Sequence, residues 1–381
     1  MASFRKRGCK CKNKKKCSCG ATWEFRISVT DPTTGERIQP SEGGFATKPE
    51  AEAAAAKLKM QYETGLLSAE AKDETIQSFM GKYLENTLIH EIEAATYEQK
   101  LAIMDRHIVP ELGKLKLKKL TPLQVQSFIN YLIGEDLNAG TIGNIMRLLN
   151  QTLNKAVEWG YVARNVVPMA SKPRYKPEKF TVWTKQQFEH FLKNTKKSRL
   201  YPFYLIALMT GMRPGEITAL TWEHINFKKK TIRVEQTVAW TKQKGIHIKN
   251  SPKNDASRRT ITIPDYVVNY LREYKVAQQP NGLNTVIQGV KHDLMYNSVI
   301  NQIMKTDITN TGLPLITPHD LRHTHATYLL SPPPFGLGQA IKAVSERLGH
   351  AKTSTTLNTY THVLPNMQEA LSDQLGASIN F

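Results

Sequence analysis

Thr317-Pro318-His319-Asp320-Leu321-Arg322-His323-Thr324-His325 is the stretch on which the reading of this 381-residue chain turns. Thr317 is a helix-capping residue type and Pro318 suits a first helical position. His319 and Arg322 are three apart and share a helix face. Both fall in the first turns, where free N–H groups and the helix dipole favour an anion. The stretch therefore predicts a helix that presents a phosphate site. A rival reading makes His319, His323 and His325 metal ligands, since His319 and His323 are four apart. The intervening Arg322 would repel the ion, and Asp320 is the one carboxylate at hand.

Three other segments carry unusual combinations of residues. In Thr210-Gly211-Met212-Arg213-Pro214-Gly215-Glu216 an apolar helix ends at Gly211 and a new one starts at Pro214. Arg213 is then held at a helix junction, where a guanidinium can offer paired donors to a phosphate; the plainer alternative is a surface pair with Glu216. Pro252-Lys253-Asn254-Asp255-Ala256-Ser257-Arg258-Arg259-Thr260-Ile261 reads as a turn between two strands with a lysine at its tip. Such a lysine reaches out and can donate a proton, or is simply solvated. Glu346-Arg347-Leu348-Gly349-His350 is followed by Thr355-Thr356-Leu357-Asn358-Thr359-Tyr360. A lone Tyr360 would ordinarily be core packing with a satisfied hydroxyl.

The chain carries 52 Lys and Arg against 33 Asp and Glu, a net charge of +19, which points to phosphate backbones as partners. The charge is uneven. Arg5, Lys6, Arg7, Lys10, Lys12, Lys14, Lys15 and Lys16 stand in residues 1–20 with no acid among them. The same stretch holds all four cysteines: Cys9, Cys11, Cys17 and Cys19. Their C-x-C-x5-C-x-C spacing can gather four thiolates around a structural zinc ion, with nearby lysines favouring the thiolate form. The alternative is a basic tail with reduced thiols. No apolar run approaches the roughly 18 residues of a membrane span, and the first residues are basic rather than apolar, so the expectation is a cytoplasmic protein without a membrane partner.

Hydrophobic periodicity sets out a multidomain, mainly α chain. Residues 1–20 form the basic Cys segment. Within residues 21–66, Trp23-Glu24-Phe25-Arg26-Ile27-Ser28-Val29 alternates as a strand does, Asp31, Pro32 and Gly35 turn the chain, residues 36–40 give a poorer strand, and an alanine-rich helix follows over 49–62. Residues 74–170 read as all-helical, with Ile76, Phe79, Met80, Tyr83 and Leu84, and later Ile142, Ile145, Met146, Leu149, Leu153 and Ala156, at the 3.6 period. Thr121 and Gln124 form a capping box around Pro122. Residues 171–178 are a proline-stiffened basic linker. The last domain, 179–381, is mostly helical with a small antiparallel sheet over 231–264, where Ile232, Val234, Ile246, Ile248, Ile261 and Ile263 alternate with polar residues. Thr184 and Gln187 cap its first helix. Pro332-Pro333-Pro334, with Gly336 and Gly338, is a loop between helices.

Taken together, the four segments resemble the tyrosine recombinase (phage integrase) family, whose signature is Arg, Lys, His-x-x-Arg, His and Tyr in that order. Arg213, Lys253, His319, Arg322, His350 and Tyr360 match all six. Residues 20–66 resemble the arm-site-binding domain of integrases from Gram-positive phages and conjugative transposons, and 74–170 the family's helical core-binding domain. The resemblance implies a site-specific recombinase that integrates and excises a mobile element. Tyr360 would attack the scissile phosphate to give a 3′-phosphotyrosyl link. Arg213 and Arg322 would clamp the non-bridging oxygens, Lys253 would protonate the 5′ leaving oxygen, His319 would assist proton transfer at the tyrosine, and His350 would hydrogen-bond the phosphate or support the transition state. Glu216 and Asp320 would be supports rather than reactants. No cofactor is needed for catalysis. The implied partners are double-stranded attachment sites of core and arm type, a homotetramer on DNA, an excisionase and a host DNA-bending protein. The apolar helical pattern at 363–375 suits packing on a neighbouring protomer. One departure is the length of residues 331–340, where the family usually has a short Gly turn; a shifted His350 would leave a catalytically impaired DNA-binding regulator. A type IB topoisomerase-like enzyme or a dimer-resolving recombinase is the other alternative, and the arm-type domain argues against both.

Overall fold

The computed structural model describes residues 2–8, 20–30, 35–63, 74–173, 180–250, 258–289, 293–333, 336–360 and 376. The chain divides into two compact units, Met1–Pro177 and Glu178–Phe381.

The first unit opens with a three-stranded antiparallel sheet in which Trp23–Ile27 lies between Ala2–Lys6 and Ser41–Phe45. Phe25 and Ile27 are buried against Ala51, Ala55 and Tyr62 of the Lys48–Glu63 helix. Val29–Thr30 pairs separately with Arg37–Ile38, which is all that forms of the strand expected at 36–40. Two strands go beyond the sequence reading. Ala2–Lys6 falls in what reads as the basic Cys segment, and Ser41–Phe45 contains Gly43 and Gly44. Both are edges whose hydrogen bonds come from a distant partner, and Phe4 and Phe45 each add one ring to the core, so local propensity carried little signal. The four cysteines lie outside the described residues.

The rest of this unit is helical. A run from Ile76–Tyr83 continues through a π-helical turn at Leu84–Leu88, and a second run, Ala94–Ile103, does so through Met104–Ile108. Pro122–Gly134 and Ala139–Glu158 follow. The predicted capping box is present, with Thr121 accepting from the Gln124 amide and Gln124 accepting from the Thr121 amide. Every residue that the 3.6 period assigned to the core of this unit is buried, from Ile76 to Ala156.

The second unit is built on the Tyr201–Thr210 helix, which is buried nearly throughout and packs on Pro318–Leu330. Thr231–Val234 sits between Ile225–Asn226 and Arg259–Thr262 in one antiparallel sheet. Thr237–Thr241 and Gly245–Lys249 form a separate hairpin, so the single sheet expected at 231–264 is two structures. The hairpin leaves the sheet to lie on the short Pro214–Thr218 helix, where a Cβ at Gly215 would stand 2.7 Å from the Thr237 hydroxyl. Among the described residues no helix is long and apolar enough to cross a membrane.

Three chain segments are tied together under the end of the apolar helix. Gly211 terminates it in the left-handed region, with φ +67°. A Cβ there would lie 2.5 Å from the His325 ring and 2.8 Å from Leu348. His325 donates from Nδ1 to the Leu208 carbonyl at 2.7 Å, and its Nε2 accepts from Arg347 Nε at 3.2 Å. Arg347 also donates to the Met209 carbonyl at 2.8 Å. A ring that accepts from a guanidinium is neutral, and burial, then the Arg347 charge, pushes the His325 pKa down to about 3.

The proline-rich segment after Pro318–Leu330 folds back on the helix it leaves. Leu337 N donates to Tyr328 O, Gly338 N to Ser331 O and Gln339 N to Leu329 O. Only glycine fits at 336, because a Cβ would come within 2.2 Å of the Tyr328 carbonyl. Ile341–Leu348 starts directly after this loop.

Two outcomes follow from the junction at Gly211. Gly211→Ala combines a left-handed backbone with a steric clash, and should cost about 2–4 kcal/mol in urea unfolding of the second unit; an unchanged midpoint would contradict the packing described. As pH falls from about 6.5, the unfolded chain takes up a proton at His325 that the native chain refuses. Stability should therefore drop by about 1.4 kcal/mol per pH unit from this residue alone, down toward its native value of about 3. His325→Asn should flatten the urea-midpoint profile between pH 6.5 and 4 by that slope, and parallel profiles would reject a neutral buried His325.

Candidate active site

A carboxylate with two guanidiniums forms one wall of the site. Glu216, in the Pro214–Thr218 helix, accepts from the Arg213 amide at 2.9 Å and from Arg213 NH1 at 2.7 Å. On its other side it accepts from Arg259 NH1 at 3.2 Å and NH2 at 2.8 Å. Burial would raise the Glu216 carboxyl, but hydrogen bonding and charge from Arg259, followed by Arg213, hold it below the ordinary carboxylate range. Arg259 is buried and also donates to the Arg347 carbonyl at 2.7 Å. Arg213 is about a third exposed, so its guanidinium edge reaches solvent while Glu216 fixes its direction. The site thus holds more guanidinium charge than carboxylate.

Arg322 lies deeper, with only 2% of its surface exposed. It projects from the first turns of Pro318–Leu330, donating from NH1 to the Gly211 carbonyl at 2.8 Å and from NH2 to His350 Nε2 at 2.9 Å. Burial, then repulsion from Arg213, lowers its pKa to about 9, which leaves it charged at neutral pH. Since the guanidinium can only donate, His350 must accept at Nε2, and its Nδ1 then donates to the Thr356 hydroxyl at 2.8 Å. Burial and the charge of Arg322 accordingly push His350 down to about 4. The long 331–340 segment leaves His350 in register with Arg322.

Tyr360 ends the Thr353–Tyr360 helix and is buried. Its hydroxyl lies 3.0 Å from Nδ1 of His323, not of His319. Phe180 stacks on the His323 ring at 4.1 Å between centroids and meets Tyr360 edge-on at 5.9 Å. His319 stands on the exposed surface, its ring edge-on to His323 at 4.9 Å. Burial pushes the Tyr360 phenol up to about 12, against the pull of Arg322 and Arg213. Asp320 accepts from the Thr317 amide and hydroxyl, both at 2.7 Å, so it caps the helix that carries Arg322 and the histidines.

Five of the six predicted residues, Arg213, His319, Arg322, His350 and Tyr360, therefore lie on adjoining elements of one unit. Lys253 falls in 251–257, outside the described residues, as does the tail at 363–375. The strands that flank 251–257 in sequence are present but pair with other strands, not with each other. Among the described residues no group of three or more His, Cys, Asp or Glu could hold a metal, and His325 turns inward to Leu208. Sequence reasoning passed over Arg259, Arg347, Thr356 and Phe180, and weighed His323 only as a metal ligand. For Arg259 there was a signal: it has the same parity on its strand as the buried Ile261, and so faces the same way. What the assembly can do is grip a phosphate with two or more guanidiniums, near the N-terminus of the helix that carries Arg322 and beside a phenol.

Family comparison agrees with this geometry along the chain. Residues 181–367 match the phage integrase family, 75–133 the phage integrase N-terminal SAM-like domain, and 10–62 an arm DNA-binding domain. The chain is 26% identical to the ICEBs1 integrase of Bacillus subtilis, over 92% of this chain and 96% of that protein. It is 29% identical to a XerC-like tyrosine recombinase of Caldanaerobacter subterraneus, with the same shares covered. The fold matches the Tn1549 transposon integrase solved with a circular intermediate DNA, at a TM-score of 0.67 and 19% identity over 79% of this chain and 99% of that one. It also matches a lambda integrase tetramer bound to a Holliday junction, at a TM-score of 0.57 and 16% identity over 86% and 93%. The chain belongs to the phage integrase family of tyrosine recombinases, enzymes that break and rejoin DNA.

Proposed function

We propose that this recombinase moves a mobile element into and out of double-stranded attachment sites by two rounds of transesterification at Tyr360. The observation that carries the reading is the convergence of Arg322, His350 and Arg213 beside a phenol that is far away in sequence. Arg213 and Arg322 hold the non-bridging oxygens and stabilise the charge that grows on them. Tyr360 Oη forms a bond to phosphorus, the bond to the 5′ oxygen breaks, and Lys253 supplies that oxygen with a proton. The 3′-phosphotyrosyl link keeps the bond energy, so a partner strand's 5′-hydroxyl can reverse the step without ATP. The helical domain and the catalytic unit grip the core site, and the N-terminal sheet reads an arm site. Four protomers on two duplexes, an excisionase, a host bending protein and a cytoplasmic location complete this reading. The fold-back of 331–340, with His350 still on Arg322, favours an active enzyme over a binding-only regulator.

Cys9, Cys11, Cys17 and Cys19 fit the same picture as a structural zinc cluster that orders the basic segment. Thiolates in that spacing suit tetrahedral zinc, and binding would be linked to folding of the segment. Metal analysis of the purified full chain should give about one zinc per chain, lost in the Cys9→Ser/Cys11→Ser variant with weakened arm-site binding; a metal-free chain with full arm-site affinity removes the proposal.

The recombinase reading is tested with a nicked suicide duplex carrying the core site from the element's flank. The unmodified chain should give a denaturant-resistant protein–DNA adduct, and Tyr360→Phe should give none while shifting the same duplex in a gel. Binding without an adduct on both flanks would favour the DNA-binding regulator instead.

A further inference from the structure

Resting on that reading, we propose that His323 is the group that takes the proton from Tyr360 as it attacks, and returns it when the strand is rejoined. Position 323 lies outside the six-residue signature, and the sequence reading gave the tyrosine's proton to His319. The geometry points elsewhere. His323 Nδ1 is 3.0 Å from the Tyr360 hydroxyl, within hydrogen-bond reach of the reacting oxygen. His319 is one turn earlier and exposed, and touches the edge of the His323 ring.

The surroundings fix the His323 ring in place. Phe180 covers one face at 4.1 Å with only 14° between planes, and the same Phe180 meets Tyr360 edge-on. Acceptor and phenol are thereby held by one aromatic side chain from the first residues of the catalytic unit. An imidazolium formed at 323 would lie flat on that ring, an arrangement that favours the cation. Against it stand the charges of Arg322 and Arg213, which in turn favour the phenolate. The histidine takes a proton only as the tyrosine's negative charge passes to phosphorus.

The step balances as follows. The phenol O–H proton goes to Nδ1 of neutral His323. The oxygen's electron pair forms the bond to phosphorus. The bond from phosphorus to the 5′ oxygen breaks, and that oxygen takes its proton from Lys253. In rejoining, the 5′-hydroxyl gives its proton back to the now neutral Lys253 as its oxygen bonds to phosphorus, the bond from phosphorus to the Tyr360 oxygen breaks, and the imidazolium at 323 reprotonates that phenolate. No further reactant is needed. His323 thus serves the nucleophile and Lys253 the leaving group, at opposite ends of the displacement.

That division gives the experiment. Single-turnover cleavage is measured with the full chain on the suicide duplex and on a duplex whose scissile 5′ bridging oxygen is replaced by sulfur, which leaves without a proton. His323→Gln and His323→Ala are compared with Lys253→Ala, and gel shifts and thermal melts verify binding and folding. Both His323 variants should cleave about 100-fold more slowly or worse, on the oxygen and sulfur duplexes alike, whereas sulfur should restore Lys253→Ala. His323→Gln should recover rate as pH rises, because hydroxide can replace the missing acceptor; a purely structural lesion would lower the rate by one factor at every pH. Cleavage by His323→Ala at or above the unmodified rate would overturn the proposal, as would rescue of His323→Gln by sulfur or a pH-independent defect. If the unmodified chain forms no adduct while binding the duplex, the recombinase reading itself falls and this inference with it. Loss of the adduct in Tyr360→Phe alone, with the His323 variants unaffected, would leave the reading intact and remove only His323.

Discussion

The catalytic unit is arranged around one buried positive charge. A guanidinium as enclosed as Arg322 loses most of its hydration, and protein partners must stand in for the lost water. Here the Gly211 carbonyl and the His350 ring do so. Both partners depend on backbone features: Gly211 on a left-handed turn that only glycine makes cheaply, and His350 on the Gly349 turn, with φ +69°, that ends Ile341–Leu348. The carboxylate nearest the cluster, Glu216, is shared by Arg213 and Arg259, so positive charge is left in excess. A phosphodiester is the complement that such a surplus selects, and its arrival relieves the repulsion from Arg213 that, after burial, lowers the Arg322 pKa.

The resting nucleophile is the counterpart of this arrangement. Tyr360 is enclosed and its phenol is harder to ionise than a free one, at about 12. The same arginines that grip a phosphate pull in the opposite direction. A site of this kind stays quiet until substrate displaces water and brings the oxygen into the arginine field, so reactivity is coupled to correct docking rather than to pH alone.

The sequence made the site legible to the extent that its residues lie in short, locally ordered motifs. Thr317 and Pro318 announce a helix start, and with it the shared face of His319 and Arg322. The 3.6-residue period in 74–170 is equally plain, and there each expected core position is buried. What sequence could not supply were partnerships made across the fold. Arg259 meets Glu216 over 43 residues, and Phe180 reaches His323 from outside every motif. His323 itself was visible, but its neighbour at 319 carries the family signature, and only packing of the last helix decides which ring the tyrosine meets. The strand at Ala2–Lys6 was hidden for a related reason: a basic, polar edge is stabilised by the sheet it joins.

The fold-back of residues 331–340 has a meaning for how this unit can change. The segment's two ends are pinned to neighbouring carbonyls of the helix it has just left, so its span is set by that helix and not by its own length. Extra residues lengthen the contour while the exit point, and the direction in which the next helix departs, stay put. The entropy of closing such a loop grows only with the logarithm of its length. The segment therefore behaves as a mechanical buffer: apart from Gly336, whose place admits no side chain, changes in its length are decoupled from the alignment of the histidine that follows, and a lineage can experiment there without disturbing the chemistry a few residues downstream.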